Sequence, residues 1–211
     1  GRYFIQAAAQ LKGTTVELMK MGEPGVPEMN AYIEEVLKEG ETLGFDGRVV
    51  SVGEGEGYAA IAGKKNAKVN YQVDLIDEIW EDRPVLSEEP AFNLDVKYAG
   101  ETVASKLARI REEMKEAGTN VHVVSTIDDI CWTLNIRGND IDFFPLVLSY
   151  GIITMDSFEL YIDEKKLDDK LKAKLAKDGV NLHPYNDIYE DVKKFGSDVV
   201  AMIDPGKLNY A

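Results

Sequence analysis

The sequence predicts an α/β protein built on a mixed β-sheet flanked by helices. Three observations carry this. Short strand-like runs alternate along the chain with stretches whose apolar residues recur at helical spacing. Two strands, over 146–155 and 158–162, are separated only by Asp156-Ser157, a hairpin turn that makes them antiparallel neighbours. The remaining strands are joined through helices, the connection that parallel pairing requires, so the sheet is mixed.

Each element has its own signal. The chain opens on Gly1-Arg2-Tyr3-Phe4-Ile5 without a methionine and reads as strand from its first residues, so it is expected to be cut from something longer. Residues 15–21 read as a second strand. A helix is predicted over 28–38, with Pro27 near its first turn, Met29, Ile33 and Leu37 along one face and Gly40 at its end. A strand over 43–52, interrupted at Asp46-Gly47, a short helix over 58–62, a strand over 69–73 and a helical turn over 75–80 complete the first part. Prolines and charges then mark a linker over 81–90, which divides the chain into 1–83 and 84–211.

In the second part, which starts near Phe92, Thr102 caps a helix to Ala117 with Gly118 as its stop; Val103, Leu107, Ile110, Met114 and Ala117 form its apolar stripe. A strand over 121–126 leads to a helix opened by Asp128-Asp129 and running through Leu134. Leu167, Leu171 and Leu175 mark a further helix ended by Gly179, and a short strand covers 180–182. Asn186 caps a last helix carrying Ile188, Val192 and Phe195, and a strand over 199–203 closes the chain. No internal repeat is present at a solenoid period.

Composition excludes some functions. With 38 acidic against 24 basic residues the formal net charge is −14, which repels phosphate backbones and anionic lipid, so neither nucleic acid nor membrane is an expected partner. The one cysteine, Cys131, allows no intramolecular disulfide and fits a reducing, cytoplasmic compartment. No apolar run approaches the ~20 residues of a membrane span, and no charged-then-apolar leader opens the chain. There is no H-E-x-x-H, C-x-x-C, G-x-S-x-G or G-K-[ST]. His122 lies in the alternating strand Val121-His122-Val123-Val124 and His183 in a loop before Pro184; both read as structural. Cys131, among apolar residues, reads as a small buried hydrophobe.

Two patterns admit a functional reading beside a plain one. Gly55-Glu56-Gly57-Tyr58-Ala59-Ala60 follows a strand and matches G-x-G-x-x-A, with Asp74 further on as the acid of a dinucleotide-binding unit. Against it, Glu54 and Glu56 would crowd the phosphates without a compensating base, and Gly63 interrupts the helix; the plain reading is a glycine-rich turn. Asp128-Asp129 could ligate a metal or act as an acid–base pair, but a helix start uses the same residues to satisfy free amides and the dipole.

An ordered series of motifs resembles the Xaa-Pro aminopeptidases of the pita-bread metallopeptidase family. Arg2-Tyr3-Phe4-Ile5-Gln6-Ala7-Ala8, Leu18-Met19-Lys20-Met21-Gly22 and Ile79-Trp80-Glu81-Asp82-Arg83-Pro84 are similar to three of its segments. Asp128-Asp129-Ile130-Cys131-Trp132-Thr133-Leu134-Asn135-Ile136-Arg137-Gly138-Asn139-Asp140 resembles its most specific one, followed by Ser149-Tyr150-Gly151-Ile152 and His183-Pro184-Tyr185. The departures are Cys131 and Gly151 where alanine is usual, and Phe144 before Pro145 where a polar residue is usual.

The resemblance implies two creatinase/prolidase N-terminal-like domains, the first partial over 1–83 and the second complete over 84–211. It implies a parent hydrolase whose C-terminal catalytic domain holds two divalent metals, manganese by family habit, with none held by this chain. No catalytic or metal-ligating residue is assigned here. The expected partners are that catalytic domain, a second copy in a homodimer and a peptide substrate. Arg2, Arg137, Asn139 and Tyr150 are the candidates for interdomain or substrate-side contacts, arginine being suited to planar, multi-donor bonding. Arg137 has an equal alternative, fixing the turn before Gly138 together with Asp140, and Trp132 and Tyr150 have the alternative of core packing. A stand-alone binding module that kept the fold without a catalytic domain is the rival functional class.

Overall fold

The computed structural model describes residues 2–211. Its first part contains α1 (Arg2–Gln10), α2 (Met29–Val36), β1 (Thr42–Gly44), α3 (Val52–Lys64) and β2 (Lys68–Asn70). After the linker come β3 (Phe92–Asn93), α4 (Val96–Ala99), α5 (Val103–Glu116), β4 (Val121–Val124), α6 (Ile127–Leu134) and β5 (Ile136–Arg137). The chain closes with β6 (Tyr150–Thr154), β7 (Phe158–Tyr161), α7 (Asp169–Lys177), β8 (Val180–His183), α8 (Ile188–Asp191) and β9 (Ala201–Met202).

The main sheet runs β8-β7-β6-β4-β9. β6 pairs antiparallel with both β4 and β7, whereas β8 lies parallel to β7 and β9 parallel to β4, so the sheet is mixed as the sequence predicts. The β6–β7 turn closes where expected: the Thr154 hydroxyl accepts from Ser157 N at 2.9 Å and from Asp156 N at 3.2 Å. Side chains alternate across the strands. On one face Val124, Ile153, Phe158, Leu160 and Val180 meet Leu107 and Met114 of α5, Ile130 and Leu134 of α6, and Leu171 and Leu175 of α7. On the other, Val121, Val123, Ile152 and Tyr161 meet Ile188, Val192 and Phe195. Helix α5 is capped by Thr102, whose side chain accepts from Ser105 N at 3.2 Å, and Gly118 takes φ +70° beyond its end. Gly151 has a packing reason: a Cβ there would stand 2.6 Å from Cζ of the fully buried Phe158, so its missing methyl makes room for that ring.

The first part is a β1–α3–β2 unit with parallel strands, its small core formed by Leu37, Ile61 and Ala62 with Ile33, Leu43 and Val69. The final residues of the chain pack into this unit. Tyr210 lies against Phe45 and Tyr71 at ring separations of 5.6 and 5.1 Å, and its amide donates to Gly47 O and Val50 O, both at 2.9 Å. A Cβ on Gly55 would be driven into the Tyr210 ring.

Several expectations are corrected. The opening strand is helix α1 over its described residues, Gly1 lying outside them: Ala7-Ala8-Ala9 favours helix, and a strand needs a neighbour to take up its backbone groups. Residues 15–21 are irregular, for the same want of a ladder. The helix expected over 58–62 starts at Val52, because Ser51 and Glu54 form a capping box that carries the helix through its glycines. The N-cap of α6 is Thr126, with Asp128 and Asp129 in the first turn, where their charge complements the dipole. The helix expected after Asn186 breaks into 3-10 turns around α8, and Asn186 caps nothing: Asp191, whose carboxylate accepts from Tyr161 at 3.0 Å and Lys194 at 2.5 Å, ties the segment to the sheet instead.

Asp140 and Lys166 form an ion pair of 2.5 Å with side chains only 1% and 2% exposed. Breaking one partner of such a pair leaves a buried charge uncompensated. Lys166→Met is expected to lower the unfolding free energy by about 3–5 kcal/mol, and Lys166→Met with Asp140→Leu to recover much of the loss. Urea unfolding followed by circular dichroism checks both.

Candidate functional site

The most specific motif, 128–140, buries Ile130, Cys131, Leu134 and Ile136 in the core and leaves Asp128, Asp129, Trp132 and Asn139 exposed. Asn135 takes φ +53°, a left-handed conformation that asparagine tolerates, and ends α6. Its side chain donates to Glu101 O at 2.8 Å and accepts from Lys106 Nζ at 2.7 Å. Lys106, 1% exposed, also donates to Trp132 O at 2.6 Å and lies 4.2 Å over the Trp132 ring. Burial pushes the Lys106 amine below its ordinary range, against the attraction of Glu101. Arg137 turns inward, donating to Cys131 O at 2.8 Å and Ile136 O at 2.7 Å. A Cβ on Gly138 would stand 2.7 Å from Val147 Cγ2, and Asp140 accepts from Leu148 N at 2.6 Å as well as from Lys166.

Where the β1–α3–β2 unit meets the main sheet there is a cleft of ≈ 570 Å³. Tyr150, Tyr185 and Tyr189 form one wall, with Arg48, Asp74 and Arg83 among its other lining residues. Tyr150 packs against Tyr185 at 5.1 Å and Tyr189 at 6.0 Å, and the Tyr150 and Tyr189 hydroxyls are 3.1 Å apart. Asn209 donates to the Tyr189 hydroxyl at 3.0 Å, and the Arg48 guanidinium lies 4.7 Å over the Tyr189 ring. Burial pushes the Tyr150 phenol up to about 12 and raises Tyr185 and Tyr189 too, so all three are neutral donors at physiological pH. Arg83 is paired with Asp74 at 2.5 Å and Asp77 at 3.2 Å. The cleft combines the neutral phenols of its tyrosine wall with charged groups, Arg48, Asp46 and the Arg83–Asp74–Asp77 cluster, on its other sides.

The four predicted contact residues are not gathered in one place. Arg2 stacks on its own neighbour Tyr3 at 4.8 Å, Arg137 is spent on the turn, Asn139 is exposed, and Tyr150 lines the cleft. Arg48, Tyr189 and Asn209 were missed, being far apart in sequence and in no periodic pattern; Tyr185 had a signal in His183-Pro184-Tyr185.

The glycine-rich segment has no free phosphate cradle. In the first turn of α3, Val52 N donates to Leu208 O and Gly53 N to Pro205 O, both at 2.8 Å. Glu54 N donates to the Ser51 hydroxyl at 3.3 Å and Gly55 N to Ser51 O at 2.8 Å. Those are the donors a pyrophosphate would need.

His122 Nδ1 lies 3.0 Å from Met202 O, and His183 Nε2 lies 2.6 Å from Glu159. Burial opposes ionisation of Glu159, but hydrogen bonds from Ser157, His183 and Asn181 outweigh it and hold its carboxyl below the usual range. Because that carboxylate sits between Ser157 and His183, the histidine is not placed to activate the serine. Cys131 is fully buried, and burial raises its thiol. Asp128 and Asp129 are solvated, and among the described residues no group of three or more His, Cys, Asp or Glu could hold a metal ion.

A five-stranded mixed sheet covered by helices on both faces defines an α/β domain. The chain belongs to the Creatinase/Prolidase N-terminal domain family, whose model matches residues 82–211. It is 37% identical to Aminopeptidase P2 of Arabidopsis thaliana over 100% of this chain and 30% of that protein. It is 36% identical to Xaa-Pro aminopeptidase app-1 of Caenorhabditis elegans over 90% of this chain and 31% of that protein. The crystal structure of X-prolyl aminopeptidase from Caenorhabditis elegans, a cytosolic enzyme with a di-nuclear active site, superposes with a TM-score of 0.91 at 33% identity, over 100% of this chain and 35% of that one. The chain thus spans about a third of the length of its relatives and matches their N-terminal region.

Two outcomes follow. Calorimetric titration with NAD is expected to show no saturable heat, because the α3 amides are already bonded. A phenol whose folded-state pKa is raised adds stability that is complete below its unfolded value of about 10 and is lost as pH rises through the folded value. Tyr150, at about 12 when folded, is expected to contribute to an alkaline fall in stability between those limits, and Tyr150→Phe to flatten it. Denaturant unfolding at successive alkaline pH values measures the slope.

Proposed function

We propose that this chain is the non-catalytic N-terminal region of a metal-dependent Xaa-Pro aminopeptidase, an enzyme that removes the N-terminal residue preceding proline. The observation that carries the reading is the match of the whole chain, at a TM-score of 0.91, to 35% of an enzyme with a di-nuclear active site. In this reading two divalent metals, manganese, belong to a C-terminal catalytic domain, in keeping with the di-nuclear active site of the nematode enzyme. There they supply Lewis acidity and an activated hydroxide.

In this reading residues 1–83 are the C-terminal part of a first creatinase-like domain and 84–211 a second one, and the region supports a homodimer and restricts peptide access to the cleft. The Tyr210 contact joins the two parts, so the final residues of the second domain are also packing residues of the first. The parent is cytoplasmic, like the nematode enzyme, and no described helix is long and apolar enough to cross a membrane. The excess of acidic residues supports neither nucleic acid nor anionic lipid as a partner.

The test is hydrolysis of an Xaa-Pro peptide with added manganese. The 211-residue chain is expected to be inactive and a version extended through the C-terminal region active. Turnover by the 211-residue chain itself would overturn the reading; inactivity of both would favour a stand-alone binding module.

A further inference from the structure

The turn after the Asn135–Asp140 motif is unlike the rest of the surface. Phe143 is fully exposed and holds φ +64°, a left-handed conformation that is strained for a bulky side chain. Phe144 and Ile141 beside it are also exposed. Three consecutive constraints keep this geometry. Phe144 N donates to Ile141 O at 3.0 Å across the turn, and Leu146 N to Phe144 O at 2.7 Å. Asp140 N donates to Leu146 O at 3.3 Å, closing the neck. Beneath it the Asp140 carboxylate is fixed by Lys166 and by Leu148 N. The result is a rigid finger that presents two phenyl rings to solvent, and nothing in the packing of residues 2–211 uses those rings.

We propose that this turn is a docking anchor, and that Phe143 and Phe144 insert into an apolar pocket on the part of the same polypeptide that lies outside residues 1–211. The proposal rests on the preceding reading of the chain as one region of a longer enzyme. Three points favour that occupant. Relatives have about two thirds of their length beyond the matched region, so a large surface is available to receive the turn. A turn whose backbone is hydrogen-bonded before contact loses less backbone freedom on binding, and exposed aromatic side chains are common interface hot spots. A second copy fits this turn poorly, because a symmetric contact here would bring two Asp142 carboxylates together, and the homodimer of the preceding reading would form through another face. A basic rim around the receiving pocket would complement Asp142.

Phe143→Asn tests this, since asparagine accepts the left-handed backbone while removing the ring. Phe143→Leu serves as the conservative partner. In the 211-residue chain Phe143→Asn is expected to leave the thermal midpoint unchanged or raise it. In the full-length polypeptide it is expected to lower the midpoint by about 1–3 °C and to speed proteolytic release of the N-terminal region, with Phe143→Leu restoring part of the loss. Equal effects in both forms, or no effect in the full-length form, overturn the proposal. So does a dimer of the 211-residue chain that Phe143→Asn dissolves in sedimentation velocity, which would give the turn to a second copy. Xaa-Pro hydrolysis by the full-length polypeptide is scored separately: its absence counts against the functional reading, whereas full activity with an unchanged midpoint counts only against the anchor.

Discussion

The buried Asp140–Lys166 pair is the constraint on which much of the chain after the linker depends. Both side chains are almost wholly removed from water, and Asp140 Oδ1 has no partner among the described residues. The carboxylate is therefore compensated through Oδ2 alone, by Lys166 and the Leu148 amide. A buried charge so sparsely compensated tolerates little displacement. It fixes the end of the 128–140 motif against the stretch leading into β6, eight residues on, and the segment entering α7, 26 residues on. It is also the base of the Phe143 turn, so a core interaction sets the geometry of a surface feature.

The same motif shows how a specific signature can serve architecture. Asn135 ends a helix, Lys106 satisfies that end from another helix, Arg137 bonds two carbonyls, and Gly138 admits Val147. Each residue type is required by its geometry: a left-handed terminus, a buried carbonyl to satisfy, a planar donor and a missing Cβ. Arg137 bonds Cys131 O at the end of α6 and Ile136 O, whereas Asp140, expected to share the turn with it, is taken by Lys166 and Leu148 N.

The glycine-rich start of α3 makes a related point about close approach. Its glycines match a phosphate-binding pattern in spacing, but what approaches them is protein: Pro205 at Gly53 and the Tyr210 ring at Gly55. A terminal segment of the chain thus occupies both the space and the amide donors that a nucleotide would claim. The same contact closes the small unit, whose core of Leu37, Ile61 and Ala62 is too small to stand without added packing.

The sequence by itself determined the mixed sheet, the β6–β7 hairpin, the extent of α5, the presence of α7 and the family, because these depend on local signals: apolar periodicity, caps, a tight turn and ordered motifs; α7 itself starts only at Asp169, so Leu167 of its expected stripe precedes it. It misjudged residues 2–10 and 15–21, where strand-like composition found no neighbouring backbone, and it broke α3 at glycines that a capping box overrides. Only the tertiary structure decided that Tyr150 meets Tyr185, Tyr189 and Asn209, that Lys166 is the partner of Asp140, and that Tyr210 belongs to the first unit. Those pairings join residues up to about 160 positions apart. They are fixed by how sheet, helices and terminal segment close on one another, and no spacing along the chain encodes them.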